Sequence, residues 1–379
     1  MRILVLGAGL VGGPIAADLA GDPEYSVTVA DIDPLALDKL SESHKLATLR
    51  VDLSDSKLVK KLASGYGLVV SAVPGFLGHQ TLRAILEAGT NVVDITFAPE
   101  DFQVLDSLAK SKNVTAICDM GVAPGMSHLL AAHCVRMMDE PQDVKIYVGG
   151  LPVERPWPYE YKAVFSPIDV IEEYTRPARF RKNGKEVVMP ALSDVELMEF
   201  EGFGQVESFN SDGLRSLLTS LDVPNMIEKT LRYPGHIEKM LMLRETGFFR
   251  TDPVMVNGIS IRPIDVTAKL LFPMIKLGEG EEDITVMSIQ VTGKKDDKLK
   301  KLTYSLIDRY DVITKVHSMA RTTGYAATMA ARFLAGGYYT NPGINPPENL
   351  AYSDNAVPFI LKGLADRGVI YQFKEEEIV

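Results

Sequence analysis

The hexapeptide Gly7-Ala8-Gly9-Leu10-Val11-Gly12 constrains this chain more than any other feature in it. It follows the apolar run Arg2–Leu6 and precedes a helix-like stretch reaching Ala20. Glycine spacing alone is a weak signal. Here it has a strand before it, a helix after it, and an acid, Asp31, ending the next apolar run, Val27–Ala30. Each glycine then has its own task. Gly7 permits a tight turn, Gly9 lets a backbone approach a pyrophosphate without a Cβ in the way, and Gly12 lets the helix pack close to the strand. Leu10 and Val11 complete the loop, and the helix start offers free N–H groups and the positive end of its dipole. The carboxylate of Asp31, about 20 residues beyond the last glycine, suits a ribose 2′-hydroxyl and repels a 2′-phosphate, so NAD is expected and NADP is the weaker fit.

The next hundred residues repeat this alternation. Apolar runs at Thr48–Val51, Leu68–Val73, Val92–Thr96 and Thr115–Cys118 are separated by helix-like segments. Such runs, apolar throughout, predict right-handed βαβ units covered on both faces. The expected fold is α/β: a Rossmann-type, doubly wound parallel sheet over residues 1–124. The pattern changes at Gly121–Pro124. Beyond it, Ile284–Val291 and Leu302–Arg309 flank the charged cluster of residues 294–301 and read as an antiparallel hairpin with a solvated turn. A second, α+β lobe with a mixed or antiparallel sheet is expected over 125–315. The small-residue helix Val316–Ala335 opens a C-terminal segment, 316–379, expected to pack back on the first lobe.

Composition narrows the partners. A net charge of −10 argues against nucleic acid, whose phosphates need clustered Lys and Arg. No apolar run has the ~18–20 residues of a membrane span. The first strand opens directly after Met1-Arg2, and Cys118 and Cys134 lack metal-like spacing. A cytoplasmic protein with reduced thiols and no metal is the expectation.

Ligands of doubly wound sheets bind beyond the strand C-termini. That places Asp52, Ala72-Val73-Pro74, Asp94 and Asp119 along one crevice. Asp52 is a candidate acceptor for the adenine amino group, and Ala72, Val73 and Pro74 for the nicotinamide wall. Asp94 and Asp119 are candidates for substrate and catalytic contact; strand-end acids also serve as helix caps.

The later stretches resemble the saccharopine dehydrogenase family, including saccharopine reductases and lysine 6-dehydrogenases. The resemblance rests on Gly121-Val122-Ala123-Pro124-Gly125-Met126, Tyr147-Val148-Gly149-Gly150-Leu151-Pro152 and Glu160-Tyr161-Lys162-Ala163-Val164-Phe165-Ser166. It continues in Asn210-Ser211-Asp212-Gly213-Leu214-Arg215, Lys229-Thr230-Leu231-Arg232-Tyr233-Pro234-Gly235-His236, Ser318-Met319-Ala320-Arg321 and Pro346-Pro347-Glu348. It implies hydride exchange between NAD(P) and a carbon bearing the nitrogen of a lysine-derived amine or opine, in an enzyme expected to be a homodimer. Saccharopine reductases resemble the chain at Tyr161-Lys162 and at Asn210 with Asp212, but carry aspartate where Ala123 stands and arginine where Ser211 stands. Lysine 6-dehydrogenases resemble it at residues 119–125, so oxidation of free lysine is the alternative. A non-catalytic, dinucleotide-sensing protein is the alternative of another class.

The chemistry needs a carboxylate clamp, and Arg215, Arg232 and Arg321 are its candidates because guanidinium meets carboxylate with paired hydrogen bonds. Thr230 and Asn210 belong to the same substrate-binding set. Lys162 and His236 are the candidates for general acid/base. The lysine is expected to lose solvation between Tyr159 and Tyr161, the histidine to titrate in the neutral range.

Overall fold

The computed structural model describes residues 1–165 and 167–378. Strands β1 (Arg2–Leu6), β2 (Ser26–Asp31), β3 (Ala47–Arg50), β4 (Leu68–Ser71), β5 (Asn91–Asp94) and β6 (Thr115–Ile117) alternate with helices. Then come β7 (Glu140–Pro152), β8 (Ala178–Lys182), β9 (Lys185–Met189), β10 (Glu196–Phe200), β11 (Gly204–Asn210) and β12 (Asn225–Arg232). The hairpin β13 (Val254–Val256) and β14 (Ile259–Ile261) precedes the long strands β15 (Asp283–Lys295) and β16 (Lys298–Arg309), and β17 (Gly343–Asn345) and β18 (Gln372–Glu377) close the chain. The chain divides into two compact units, one of Met1–His133 with Ala320–Ile370, the other of Cys134–Met319 with the residues from Tyr371 onward.

The first unit holds a seven-stranded parallel sheet in the order β17-β6-β5-β4-β1-β2-β3. Its central strands are short and buried on both faces, as in Leu68-Val69-Val70-Ser71, so burial selects β-branched and leucine side chains without alternation. Strand order reverses between β1 and β4, the place where doubly wound sheets open a crevice. The glycine loop follows β1 at that point. The helix Ser318–Ala335 contributes Arg332, which bonds Asp18 of the helix Gly12–Ala20 at 2.7 Å, so the C-terminal segment fixes the far end of the helix behind the loop.

The second unit is a nine-stranded mixed sheet, β10-β11-β12-β7-β15-β16-β18, with β8 pairing β12 and β9. Only β12 and β7 run parallel; their other neighbours are antiparallel. The charged segment of residues 294–301 is the tip of the β15–β16 hairpin, turning at Asp296 and Asp297, both in the left-handed region. Its lysines meet an unforeseen partner. The acidic segment Gln372–Glu377 pairs antiparallel with β16, and Glu375 takes Lys295 at 2.8 Å and Lys300 at 2.7 Å.

Candidate active site

The first unit supplies a dinucleotide cradle. Gly7 has φ +104°, and a Cβ on it would lie 2.5 Å from the Ala72 carbonyl oxygen. A Cβ on Gly12 would lie 2.2 Å from the Gly7 carbonyl oxygen, so this helix touches the loop at backbone distance. A Cβ on Gly9 would meet nothing within 4 Å, which leaves its approach open for a ligand. The helix Gly12–Ala20 has no acid in its first turn and no side-chain cap from Val11, as an anion-binding N-terminus requires. Leu10 and Val11 are half-buried beside it. The donor set and the open glycine fit a pyrophosphate.

Asp31 is anchored at the loop: its carboxylate accepts from the Ala8 N–H at 2.6 Å and from the Asp33 N–H at 2.9 Å. Asp52 is exposed and accepts from the Ser54 N–H at 2.9 Å, and the Ser54 hydrogen bonds hold its carboxyl below the usual range. Ala72 shapes the loop from beneath. Val73 is buried, and Pro74 is exposed at the start of the helix Gly75–Ala88.

Asp94 ends β5 with no exposure and closes its own turn, accepting from the Thr96 N–H at 2.8 Å and the Thr96 hydroxyl at 2.9 Å. Burial pushes its carboxyl up to about 7, past the lowering effect of Ser71 and Thr96, and the charge of Asp119 adds to the rise. Asp119 is itself buried, in the left-handed region at φ +57°. Arg321, also in this unit, is buried and donates to the Arg367 carbonyl.

The second unit supplies a buried polar cluster on one face of β12. Side chains alternate along a strand, so Glu228, Thr230 and Arg232 share a face while Lys229 and Leu231 take the other. Pairing with β11 sets Phe209 opposite Thr230 and Asn210 opposite Lys229. Asn210 therefore belongs to the face away from Thr230 and Arg232, where its amide donates to the Ser193 hydroxyl at 3.1 Å. Thr230 lies 2.7 Å from the Ser211 hydroxyl, which donates to Glu228 at 2.6 Å; the Gly213 N–H also donates to Glu228, at 3.2 Å. Glu228 is 5% exposed, and burial pushes its carboxyl up to about 7. Ser211 and Gly213 oppose that rise; the charges of Glu173 and Asp212 add to it.

Arg232, 2% exposed, is no surface residue. It is paired with Glu173 of the helix Pro167–Thr175, donates to the Leu231 carbonyl at 2.9 Å, and stacks 4.2 Å over the Tyr161 ring. A clamp built on it shares its guanidinium with the protein's own carboxylate. Its Nε has no partner among the described residues. Arg215 is half-buried at φ +41°, in the loop where Arg179 holds Asp212 through two bonds of 2.9 Å.

One acid/base expectation needs correction. His236 does not titrate near neutrality. It is 1% exposed, and burial with the neighbouring Arg232 charge pushes its imidazole down to about 3, although the Tyr159 carbonyl works the other way. The ring is a neutral tie, with Nδ1–H donating to the Tyr159 carbonyl at 2.7 Å and Nε2 accepting from the Tyr174 hydroxyl at 2.9 Å. The Lys162 side chain keeps 16% exposure, and its ammonium is paired with Glu281. Burial raises the Glu281 carboxyl, but the bonds from Lys162 and the Gly278 N–H outweigh it and hold the carboxyl low. Ser166, at the end of that sequence stretch, lies outside the described residues. Glu173, Tyr174 and Glu228 escaped the sequence reading; the one signal for Glu228 was its spacing with Thr230 and Arg232 on one face of a strand.

Among the described residues no helix is long and apolar enough to cross a membrane, and no group of His, Cys, Asp and Glu is arranged to hold a metal.

Comparison with known proteins places this arrangement in a family. Residues 3–117 match the saccharopine dehydrogenase NADP binding domain, and residues 121–369 match the saccharopine dehydrogenase C-terminal domain. A Saccharomyces cerevisiae protein named saccharopine dehydrogenase [NADP(+), L-glutamate-forming] is 22% identical over 100% of this chain and 99% of its own length. The mouse mitochondrial alpha-aminoadipic semialdehyde synthase is 26% identical over 62% of this chain, which spans only 27% of that protein. The carboxynorspermidine synthase of Vibrio cholerae is 24% identical over 95% of this chain and 94% of its own. The apo saccharopine dehydrogenase (L-Glu forming) structure from S. cerevisiae shares the fold at a TM-score of 0.81 and 20% identity, covering 100% of both chains. The chain belongs to the saccharopine dehydrogenase family, a family of NAD(P)-dependent oxidoreductases acting on CH–NH groups.

Proposed function

We propose that this chain moves a hydride between a nicotinamide dinucleotide and the nitrogen-bearing carbon of a lysine-derived amine or opine. The observation that carries the reading is the glycine loop, with its open approach at Gly9, an acid-free helix start, and Asp31 fixed to the Ala8 N–H. Gly7, Gly9, Leu10, Val11 and Gly12 hold the pyrophosphate, and Asp31 takes the ribose hydroxyls. Asp52 is proposed for the adenine, and Ala72, Val73 and Pro74 for the nicotinamide side. When bound, the dinucleotide supplies the hydride acceptor or donor. NAD is preferred, because a 2′-phosphate meets the Asp31 charge; the yeast relative is named for NADP(+).

The protein's own part is binding and proton handling. Lys162, with Glu281 as counter-charge, is the proposed general acid/base, giving a proton to the departing nitrogen and, in its neutral form, taking one from the attacking water. His236 positions the segment that carries Lys162, through the Tyr159 carbonyl. Asp94 and Asp119 are proposed for substrate and proton contacts at the strand ends, and Arg232, Arg215 and Thr230 for the substrate's polar groups, while Asn210 on the opposite face leaves the set. Saccharopine and free lysine are the first substrates to test. Both cysteines are buried free thiols, which accords with a cytoplasmic setting. The homodimer stands as an expectation for light scattering.

The test is reduced-nicotinamide formation from NAD and from NADP with lysine, saccharopine and carboxynorspermidine. Turnover of any of them with NAD preferred is the expected result. If NADH binds and none is turned over, the oxidoreductase reading gives way to a dinucleotide-sensing one.

A further inference from the structure

Arg232 ends β12 and Tyr233 follows it, and their side chains go to opposite sides of the sheet. Arg232 reaches Glu173 and the Tyr161 ring. Tyr233 packs instead with Leu231, Leu151, Ile284 and Val286. Beside that apolar cluster lies a cleft of about 550 Å³, within the size range of small-molecule sites. It is lined from β11, β15 and β16 and from the segments that follow β7 and β12, all within the second unit.

Two guanidiniums line this cleft. Arg155 stacks 4.5 Å over the Tyr233 ring, and Arg309 ends β16 in register with Ile284. Both act on the Tyr233 hydroxyl: burial raises it above its ordinary value, Arg155 and Arg309 oppose that rise, and Glu160 adds to it. Glu160 offsets the two cations with one charge, and that charge is divided. It accepts from the Arg155 Nε–H at 2.6 Å and lies 3.9 Å from the Lys239 ammonium. The Arg309 guanidinium has no hydrogen bond or ion pair among the described residues, and neither has the Gln205 amide, which lines the same cleft. The cleft therefore carries surplus positive charge. Its other wall is apolar and fixed. The Phe203 ring stacks on Tyr233 with 6.1 Å between centroids, and the Tyr233 hydroxyl is tied to the Pro152 carbonyl at 2.9 Å. A guanidinium fork meets a carboxylate or phosphate with paired hydrogen bonds, and stacked rings beside it suit a flat or apolar body.

We propose that this cleft is a second small-molecule site, for an organic anion whose phosphate or carboxylate is held by Arg309 and Arg155 while its body lies against Tyr233 and Phe203. It goes beyond hydride transfer and does not depend on it. None of its residues belongs to the dinucleotide cradle or to the sheet face that carries Arg232.

The experiment is calorimetry on the NADH-saturated protein with phenyl phosphate, benzoate and, as a neutral control, benzyl alcohol. Saturation with NADH keeps the probes out of the glycine loop. At least one anion is expected to bind with a Kd of about 1 mM or tighter, and benzyl alcohol at least about tenfold more weakly. Tighter phenyl phosphate assigns a phosphate ligand, and tighter benzoate a carboxylate. Arg309→Gln is expected to weaken the preferred anion about tenfold and to leave NADH affinity unchanged. Arg309→Lys keeps the charge but loses the fork; its affinity is expected to lie between the two, and it serves if the Gln variant fails to fold. Binding of neither anion, equal binding of benzyl alcohol, or an affinity unchanged in the Arg309 variants overturns the proposal.

Discussion

Replacing Glu228 by Gln changes how the second unit responds to pH, and the size of the change follows from where the carboxyl sits. In the unfolded chain a glutamate ionises near its ordinary value of 4.5; in the folded unit burial pushes it up to about 7. Below pH 4.5 both states hold the proton and the group costs nothing. Between 4.5 and about 7 the unfolded chain releases its proton while the folded one keeps it, so stability falls as pH rises. At about 1.4 kcal/mol for each unit of the shift, the loss is roughly 3 kcal/mol by pH 8. A glutamine in its place has no proton to lose. Relative to the native protein, Glu228→Gln should therefore gain roughly 3 kcal/mol between pH 4.5 and 8, whatever its offset at the acid end. The assay is amide hydrogen exchange of β12 at pH 5, 6, 7 and 8, corrected for intrinsic rates and expressed as opening free energy. Asp94 titrates in both proteins and cancels from the difference. A difference between variant and native protein that stays constant across this range would refute the reasoning.

Other outcomes follow from the geometry of each site. Gly12→Ala puts a methyl 2.2 Å from a backbone carbonyl that no side-chain rotation relieves, and should cost about 1–3 kcal/mol in strain. NADH fluorescence titration should show lost affinity, with exchange protection in β12 unchanged. Asp31→Ala removes the charge beside the Ala8 N–H, and the ratio of kcat/KM for NAD over NADP should fall; an unchanged ratio rules out the cofactor argument. Lys162→Met should leave NADH binding intact and lower kcat by about 100-fold or more if the lysine handles the proton. His236→Asn, at a ring already neutral above pH 5, should leave the shape of the kcat–pH profile in place; loss of a limb from that profile would assign the histidine a proton-transfer role.

The first unit was legible because its constraints are local. Gly7, Gly9 and Gly12 answer to neighbours within a few residues, and Asp31 ends the next strand. Apolar runs covered on both faces have one reading. The second unit was less legible because its charges are partnered over long separations. Arg232 looks like any arginine near a turn until Glu173 on a helix reaches it. His236 looks titratable until Tyr174 and Tyr159 occupy both nitrogens. Asn210 and Thr230 both read as substrate contacts, and only the register of β11 against β12 assigns them to opposite faces. Glu228 gave no sequence sign that Ser211, 17 residues earlier, would sit over it. The strand Gln372–Glu377 was missed because its glutamates are matched only by hairpin lysines some 75–80 residues earlier in the chain.

The interleaving of the two units has a consequence for synthesis. The first sheet lacks its edge strand until β17 has emerged, and the second lacks one until β18 has, so each is completed by residues made after most of the other. A ribosome making this protein holds two unfinished sheets at once. The exposed flank of β16 waits longest, with its lysines ready for glutamates not yet translated. Like charges along an open flank disfavour pairing with another copy of the same strand. The lysine-rich hairpin thus guards the nascent chain against self-association before it becomes part of an ion-paired edge.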